Sequence, residues 1–253
     1  MIKIIINADD CGRSVIVDGK IEEAIVNKKI TSTTVMANMD DFTGAIQLYQ
    51  RYKNDISFGF HLNLTDGSPL IPSQILLDSG FYRESDGKVI FNAQPFRRKL
   101  LSSPMREDIY REVLAQAKRI KEAGIEISHI DGHHFIHQAV FMIPLLPKLC
   151  KDINVHKIRT YRNYMPSSVN RLVRNSWARL IKLQDSKAQF ADWFTSFQDF
   201  YSFVEQKKSF YQADDIVELM CHPGGHDMEE TKLMSVVSMR DIINCKMITY
   251  NQL

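Results

Sequence analysis

The chain has 253 residues, of which 44% are hydrophobic and 25% charged, and its formal net charge is +2. At this length roughly 70–75% of the unfolded surface can be buried, so a sizeable core is available. The near-balanced charge excludes an electrostatic bias toward nucleic acid or an anionic membrane surface.

The N-terminal run Ile2–Ile6 is too short for the apolar segment of a signal peptide and far too short to span a bilayer, and it predicts a first buried strand. Residues 16–29 place Ile16, Ile21, Ala24 and Ile25 on one face and Glu22, Glu23 and Lys28 outside, an amphipathic helix. A second strand is expected at Ile30–Ala37, a helix over 41–53 and a third strand at Ile56–Leu64. From Thr65 to Pro104 the rhythm is broken by Gly67, Pro69, Pro72, Gly80, Gly87, Pro95 and Pro104, which predicts a long insertion, about 66–104, over one face.

A helix over 105–123, closed by Gly124, leads into a strand at Ile125–Ile130, and a further helix is expected over 137–151 despite Pro144 and Pro147. Residues 155–161, 216–220 and 247–250 are additional strand candidates, and 169–209 reads as a mixed helical region. Six strands are clear, with one or two more beyond them. The alternation of strands and helices predicts a single α/β domain spanning 1–253, built on a parallel sheet or barrel. Cys11, Cys150, Cys221 and Cys245 are scattered without CxxC spacing, which argues against a disulfide framework and for a reducing cytoplasm.

Four polar clusters follow strand-like runs: Asn7-Ala8-Asp9-Asp10; His61 in Gly59-Phe60-His61-Leu62-Asn63; His129-Ile130-Asp131-Gly132-His133-His134 with His137; and Glu218-Leu219-Met220-Cys221-His222-Pro223-Gly224. Strand ends of a parallel sheet converge on one face, so residues 9, 61, 133 and 222 are expected in one pocket. A carboxylate and two imidazoles can hold a divalent ion while the remaining carboxylate and imidazole act as base and acid, the equipment of a mononuclear metallohydrolase. Each cluster alone has a plainer reading. A strand-end Asp can cap the next helix, and a single His is commonly a core or surface residue. Asp131 is placed to fix the tautomer of a ligating imidazole.

The ordered set of motifs, with Gly12, Ile30-Thr31-Ser32-Thr33-Thr34-Val35-Met36-Ala37-Asn38 and Leu64-Thr65-x-Gly67-x-Pro69-Leu70 between the clusters, resembles the YdjC/ChbG-like carbohydrate deacetylases from residue 4 to about 225. The resemblance implies a distorted, TIM-type (β/α) barrel and hydrolysis of an acetyl group from an N-acetylated sugar of the chitobiose or chitooligosaccharide type. It further implies one divalent metal ion, Mg²⁺ by family habit, with Zn²⁺ chemically suited to the same ligands. Carried over by position, Asp10, His61 and His133 match the metal ligands, Asp9 the general base and His222 the general acid. Asp131, His137, Arg159 and Glu218 are expected to contact the sugar or support the ligands. Two positions depart from the family pattern: Cys11 stands where Phe is usual, and Phe135 where another His is common.

A metal-dependent phosphoesterase would use similar ligands, but the sequence has no Gly-rich phosphate loop. A non-catalytic sugar- or metal-binding regulator on the same fold would have no need of Asp9 and His222. The expected partner is a small sugar, with neither nucleic acid nor membrane, and exposed apolar helix faces leave room for a homodimer.

Overall fold

The structure, a computed structural model, describes residues 1–93, 101–164, 168–225 and 228–253. Its centre is strand β1 (Ile2–Cys11), almost entirely buried, whose apolar run is what a parallel strand covered on both faces requires. Around it stand β2 (Ser32–Val35), β3 (Ser57–Leu62), β6 (Ile130–Gly132), β7 (Trp193–Ser196) and β8 (Ile216–Cys221), in the order β6-β3-β2-β1-β8-β7, all parallel. A last strand, β9 (Cys245–Met247), pairs with the start of β1.

The sheet curls, and residues 157–164 run between its two edges. The amide of Arg159 bonds to the carbonyl of Ile130 in β6, that of Ile158 to the carbonyl of Gln189, and that of Asn163 to the carbonyl of Phe194 in β7. The expected strand at 155–161 is thus reduced to single bridges at Lys157 and Ile158. The strand expected at 125–130 is likewise shorter, since regular pairing begins only at Ile130. β7 lies in the segment read from sequence as mixed helical.

Helices α1 (Val15–Val26), α2 (Phe42–Tyr52), α4 (Ser103–Glu122), α5 (Met142–Ile153), α6 (Ser168–Gln184) and α7 (Phe197–Glu205) connect or cover the strands. α1 is capped by the Ser14 hydroxyl on the Val17 amide, and α4 by Ser102 on Met105, with Pro104 in its first turn. α5 tolerates an internal Pro147 because the carbonyl that proline leaves unpaired, Ile143 four residues back, accepts instead from the Gln184 side-chain amide at 3.2 Å. α8 (Met228–Val236) and the short α9 (Met239–Ile242) precede β9.

Between β3 and α4 the chain forms a short helix, α3 (Gln74–Asp78), and an antiparallel hairpin of β4 (Tyr82–Ser85) and β5 (Lys88–Phe91). Residues 94–100 of the expected insertion lie outside the described residues. The hairpin turns at Asp86-Gly87 with φ of 51° and 72°, the Asp-Gly pair that tight hairpins favour. All four cysteines are free thiols, and no described helix is long and apolar enough to cross a membrane.

Candidate active site

β1 ends with Asp10 at φ 71° and Gly12 at φ 86°, a turn that breaks the strand's alternation and lets Asp9 and Asp10 both face the same cavity. Gly12 is required there. A Cβ would meet the Met36 carbonyl oxygen at 3.1 Å in a left-handed conformation that side chains disfavour. Parallel registers, with Asn7 opposite Met220 and His61 opposite Asp131, bring the ends of β1, β3, β6 and β8 to one edge. Asp9, Asp10, His61, His133 and His222 there line one open cavity of about 290 Å³.

The two neighbouring carboxylates have different surroundings. Both oxygens of Asp9 accept from Arg159, at 2.6 and 2.7 Å, and Oδ1 also accepts from the Asn7 amide at 2.8 Å. Burial alone pushes the Asp9 carboxyl up, but the Arg159 guanidinium outweighs it and holds the group down at about 2. Asp10 Oδ1, by contrast, is buried without a hydrogen-bond partner, facing His61 Nε2 at 3.2 Å and His133 Nε2 at 3.9 Å.

His61 Nδ1 faces Asp131 Oδ1 at 2.7 Å, so that nitrogen carries a proton, and Nε2 points at Asp10. Burial disfavours charge on His61, yet Asp131 and Asp10 raise it to about 10: carboxylates on both sides call for a positive charge between them, whether a proton or a cation. His133 is held neutral by burial, its pKa near 3, with Nδ1 2.8 Å from the Thr65 hydroxyl. One carboxylate oxygen without a partner and two imidazole nitrogens that converge on it are the donor set a divalent ion takes.

By spacing alone, Asp9, His61 and Asp131 could also hold an ion, with donor atoms within 4.8 Å of one another. Those oxygens already have protein partners. Asp131 Oδ1 serves His61, its Oδ2 takes the Thr34 hydroxyl at 3.0 Å and Arg159 at 2.9 Å, and Asp9 is gripped on both sides. The Asp10 set is the better fit to a metal.

His222 sits 4.0 Å from Asp9 Oδ2 through Nε2, while Nδ1 lies 3.3 Å from Glu230 Oε2, which also accepts from the His222 backbone amide. Burial would lower its pKa, but Glu230 and then Asp9 raise it above the ordinary value and favour the imidazolium.

The remaining expected residues lie behind this wall. Arg159 is fully buried, donating from Nε to Glu218 Oε1 at 2.6 Å, so it reaches the cavity only through Asp9. Glu218 is equally buried, its carboxyl raised by burial against the pull of Arg159. His137 Nε2 lies 3.2 Å from the Arg159 carbonyl, away from the cavity, and His129 stacks on Tyr250 at 3.5 Å between centroids. Asp131 supports His61 across the sheet rather than a histidine of its own cluster. His134 and Phe135, both at positive φ, and Met220 line the cavity. Cys11 is core, and His226 lies outside the described residues. Sequence reasoning missed Thr34, Thr65 and Glu230. Both threonines fall within quoted motifs, whereas nothing marks Glu230.

The YdjC-like protein family matches residues 3–250. A carbohydrate deacetylase of Brevibacillus brevis is 35% identical over 156 residues, 60% of this chain and 57% of that protein. One of Listeria welshimeri is 31% identical over 240 residues, 94% of this chain and 88% of its own length. Among solved structures, a protein of Enterococcus faecalis V583 described as a cellobiose-phosphate cleavage protein superposes with a TM-score of 0.73 at 20% identity, over 99% of this chain and 98% of that one, a likeness of fold. With the match running through nearly every strand and through each side chain of the cavity, the chain belongs to the YdjC-like protein family.

Proposed function

We propose that this protein is a metal-dependent carbohydrate deacetylase that hydrolyses the acetamide of an N-acetylated sugar of the chitobiose type. The observation that carries the reading is the contrast between adjacent carboxylates: Asp9 is gripped by Arg159, while Asp10 Oδ1 has no hydrogen-bond partner and faces two imidazole nitrogens. Relatives named carbohydrate deacetylases that align over most of the chain support it. The same reading takes the curled sheet, with residues 157–164 between its edges, as a distorted TIM-type barrel in one domain.

Asp10, His61 and His133 would hold one divalent ion, Mg²⁺ or, given two imidazoles, Zn²⁺. When bound, such an ion polarises a carbonyl and lowers the pKa of a water. Asp9, ionised and fixed in orientation by Arg159, takes the proton of the attacking water at Oδ2, the oxygen 4.0 Å from His222 Nε2 in the wall of the cavity. His222, kept as an imidazolium by Glu230, gives its Nε2 proton to the departing nitrogen, because an amine anion does not leave at neutral pH. The neutral ring that remains keeps its Nδ1 proton toward Glu230, so the donor is restored without rearrangement. Phe135 and Met220 give the cavity an apolar side against which an acetyl methyl can pack.

The test is acetate release from diacetylchitobiose by protein loaded with Mg²⁺, Zn²⁺ or Co²⁺. Turnover that disappears in Asp9→Asn, with one ion still bound per chain, is the expected result. No acetate from any N-acetylated sugar with a metal-loaded protein would sink the deacetylase, and release of phosphate from a sugar phosphate instead would put a phosphoesterase in its place. Loss of the ion in Asp9→Asn would show that the roles of Asp9 and Asp10 are exchanged.

A further inference from the structure

The turn that follows β1 folds Arg13 back onto Asp10. The Arg13 amide bonds to the Asp10 carbonyl at 3.1 Å, and the Gly12 amide is tied to Asp18 Oδ1 at 2.7 Å, so the guanidinium three residues on returns to the carboxylate. Arg13 Nη1 donates to Asp10 Oδ2 at 3.0 Å, and Nη2 to Asp66 Oδ2 at 2.9 Å. Asp66 is fixed in turn: its Oδ1 accepts from the Gly67 amide, and its backbone amide and carbonyl are held by the Asn63 side chain. Arg13 lines the cavity and is anchored at both ends of its planar fork.

The two oxygens of Asp10 therefore have separate fates. Oδ1 faces the imidazoles without a hydrogen-bond partner, and Oδ2 is occupied by Arg13. A carboxylate left free can offer a cation one oxygen or both, and a catalytic site needs positions kept open for water and substrate. We infer that Arg13 is a positioning residue that reserves Asp10 Oδ2, so that Asp10 presents Oδ1 alone to the metal and a coordination position stays free for substrate. Asp66 balances its charge, which keeps a cation this close from repelling the ion.

The inference rests on the metal-site reading and predicts an unusual sign. Removing an ordinary outer partner of a metal ligand weakens metal binding or activity roughly 10–100-fold. Freeing Asp10 Oδ2 instead adds a donor: the ion binds more tightly while turnover falls.

The experiment uses Arg13→Met, which removes the charge, and Arg13→Lys, which keeps the charge but cannot bridge two carboxylates as a fork. Co²⁺ and Zn²⁺ affinities are measured by calorimetry, the visible Co²⁺ spectrum is recorded, and kcat and KM are determined for the most active metal form. Arg13→Met is expected to bind metal several-fold more tightly, with kcat lowered more than KM is raised. Both variants are expected to show a weaker Co²⁺ band, the mark of an added ligand. Weaker metal binding in Arg13→Met, or a Co²⁺ spectrum identical to that of the wild type in both variants, overturns the inference. A wild-type chain that binds neither ion removes the metal site itself and this role with it, whereas metal binding and spectra unaltered by either substitution remove the Arg13 role alone.

Discussion

Arg159 donates to both oxygens of Asp9, from Nη1 to Oδ2 at 2.6 Å and from Nη2 to Oδ1 at 2.7 Å, from a position with no solvent exposure. The same guanidinium meets Asp131 at 2.9 Å and Glu218 at 2.6 Å, so three buried carboxyl groups drawn from β1, β6 and β8 share one cation. It joins Asp9 in the wall of the cavity to Asp131, the carboxylate behind His61.

Replacing Arg159 with Met leaves those carboxylates buried without their shared cation, a loss expected to cost about 3–5 kcal/mol of folding stability at neutral pH. The cost shrinks on acidification. Asp9 has a folded pKa near 2 against an ordinary 3.8, so its contribution is present above 3.8 and is lost as pH falls toward 2. Urea denaturation of wild type and variant across pH 2–7 reads both effects. A variant within about 1 kcal/mol of wild type at pH 7, no more than an ordinary substitution costs, would mean that another group supplies the counter-charge.

Glu230 makes a second prediction, in rate rather than stability. His222 must carry a proton to act as acid, and Glu230 is the first of the groups that raise its pKa against burial. The activity kcat/KM should therefore fall as pH rises through the raised value, and Glu230→Gln should move that alkaline limb down by about one unit or more. The sign of the linkage is the same in folding: the pair stabilises the protein below pH 6.5, and that contribution disappears as pH rises through the folded pKa. A pH–rate profile in Glu230→Gln that overlays the wild type would remove Glu230 from the acid's support.

The convergence of Asp9, Asp10, His61, His133 and His222 on one cavity was legible because each cluster sits at the end of an apolar strand-like run, and parallel strands with matched registers end together. The architecture that supports it was less so. Residues 157–164 include isolated bridges at Lys157 and Ile158, which leave no alternation to read, so the sequence left open whether Arg159 contacts the sugar or supports the site from behind, and the structure has it wedged between strands against Asp9. Glu230 lies eight residues beyond His222 on a helix of its own, and only the path of the chain brings the two together. The β4–β5 hairpin carried a readable signal, the Asp86-Gly87 turn pair, hidden among the prolines and glycines that suggested an irregular loop. Gly59 was also more than a strand residue. A Cβ there would lie 2.4 Å from the His129 ring, so its absence lets β3 and residue 129 pack side by side.

Asp131 tests the tautomer of His61 directly. Its Oδ1 accepts the Nδ1 proton of His61, while Oδ2 accepts from Thr34 and Arg159, so every contact made by this carboxylate is with a donor. An asparagine cannot serve all of them. If the amide oxygen keeps His61, the amide NH₂ meets the Arg159 and Thr34 donors head-on; if the group turns over, the NH₂ faces Nδ1, the ring proton moves to Nε2, and the lone pair directed at Asp10 is lost. Asp131→Asn should therefore weaken Zn²⁺ affinity roughly 10–100-fold, the usual effect of losing a carboxylate behind a ligating histidine. Nitrogen-15 NMR of the metal-free protein should show the His61 ring, doubly protonated at neutral pH in the wild type, losing its second proton at a lower pH in the variant, because Asp131 is the first of the groups that raise it against burial. Unchanged affinity together with an unchanged His61 titration would show that His61 is oriented by the sheet alone and that Asp131 is there only as a counter-charge for Arg159.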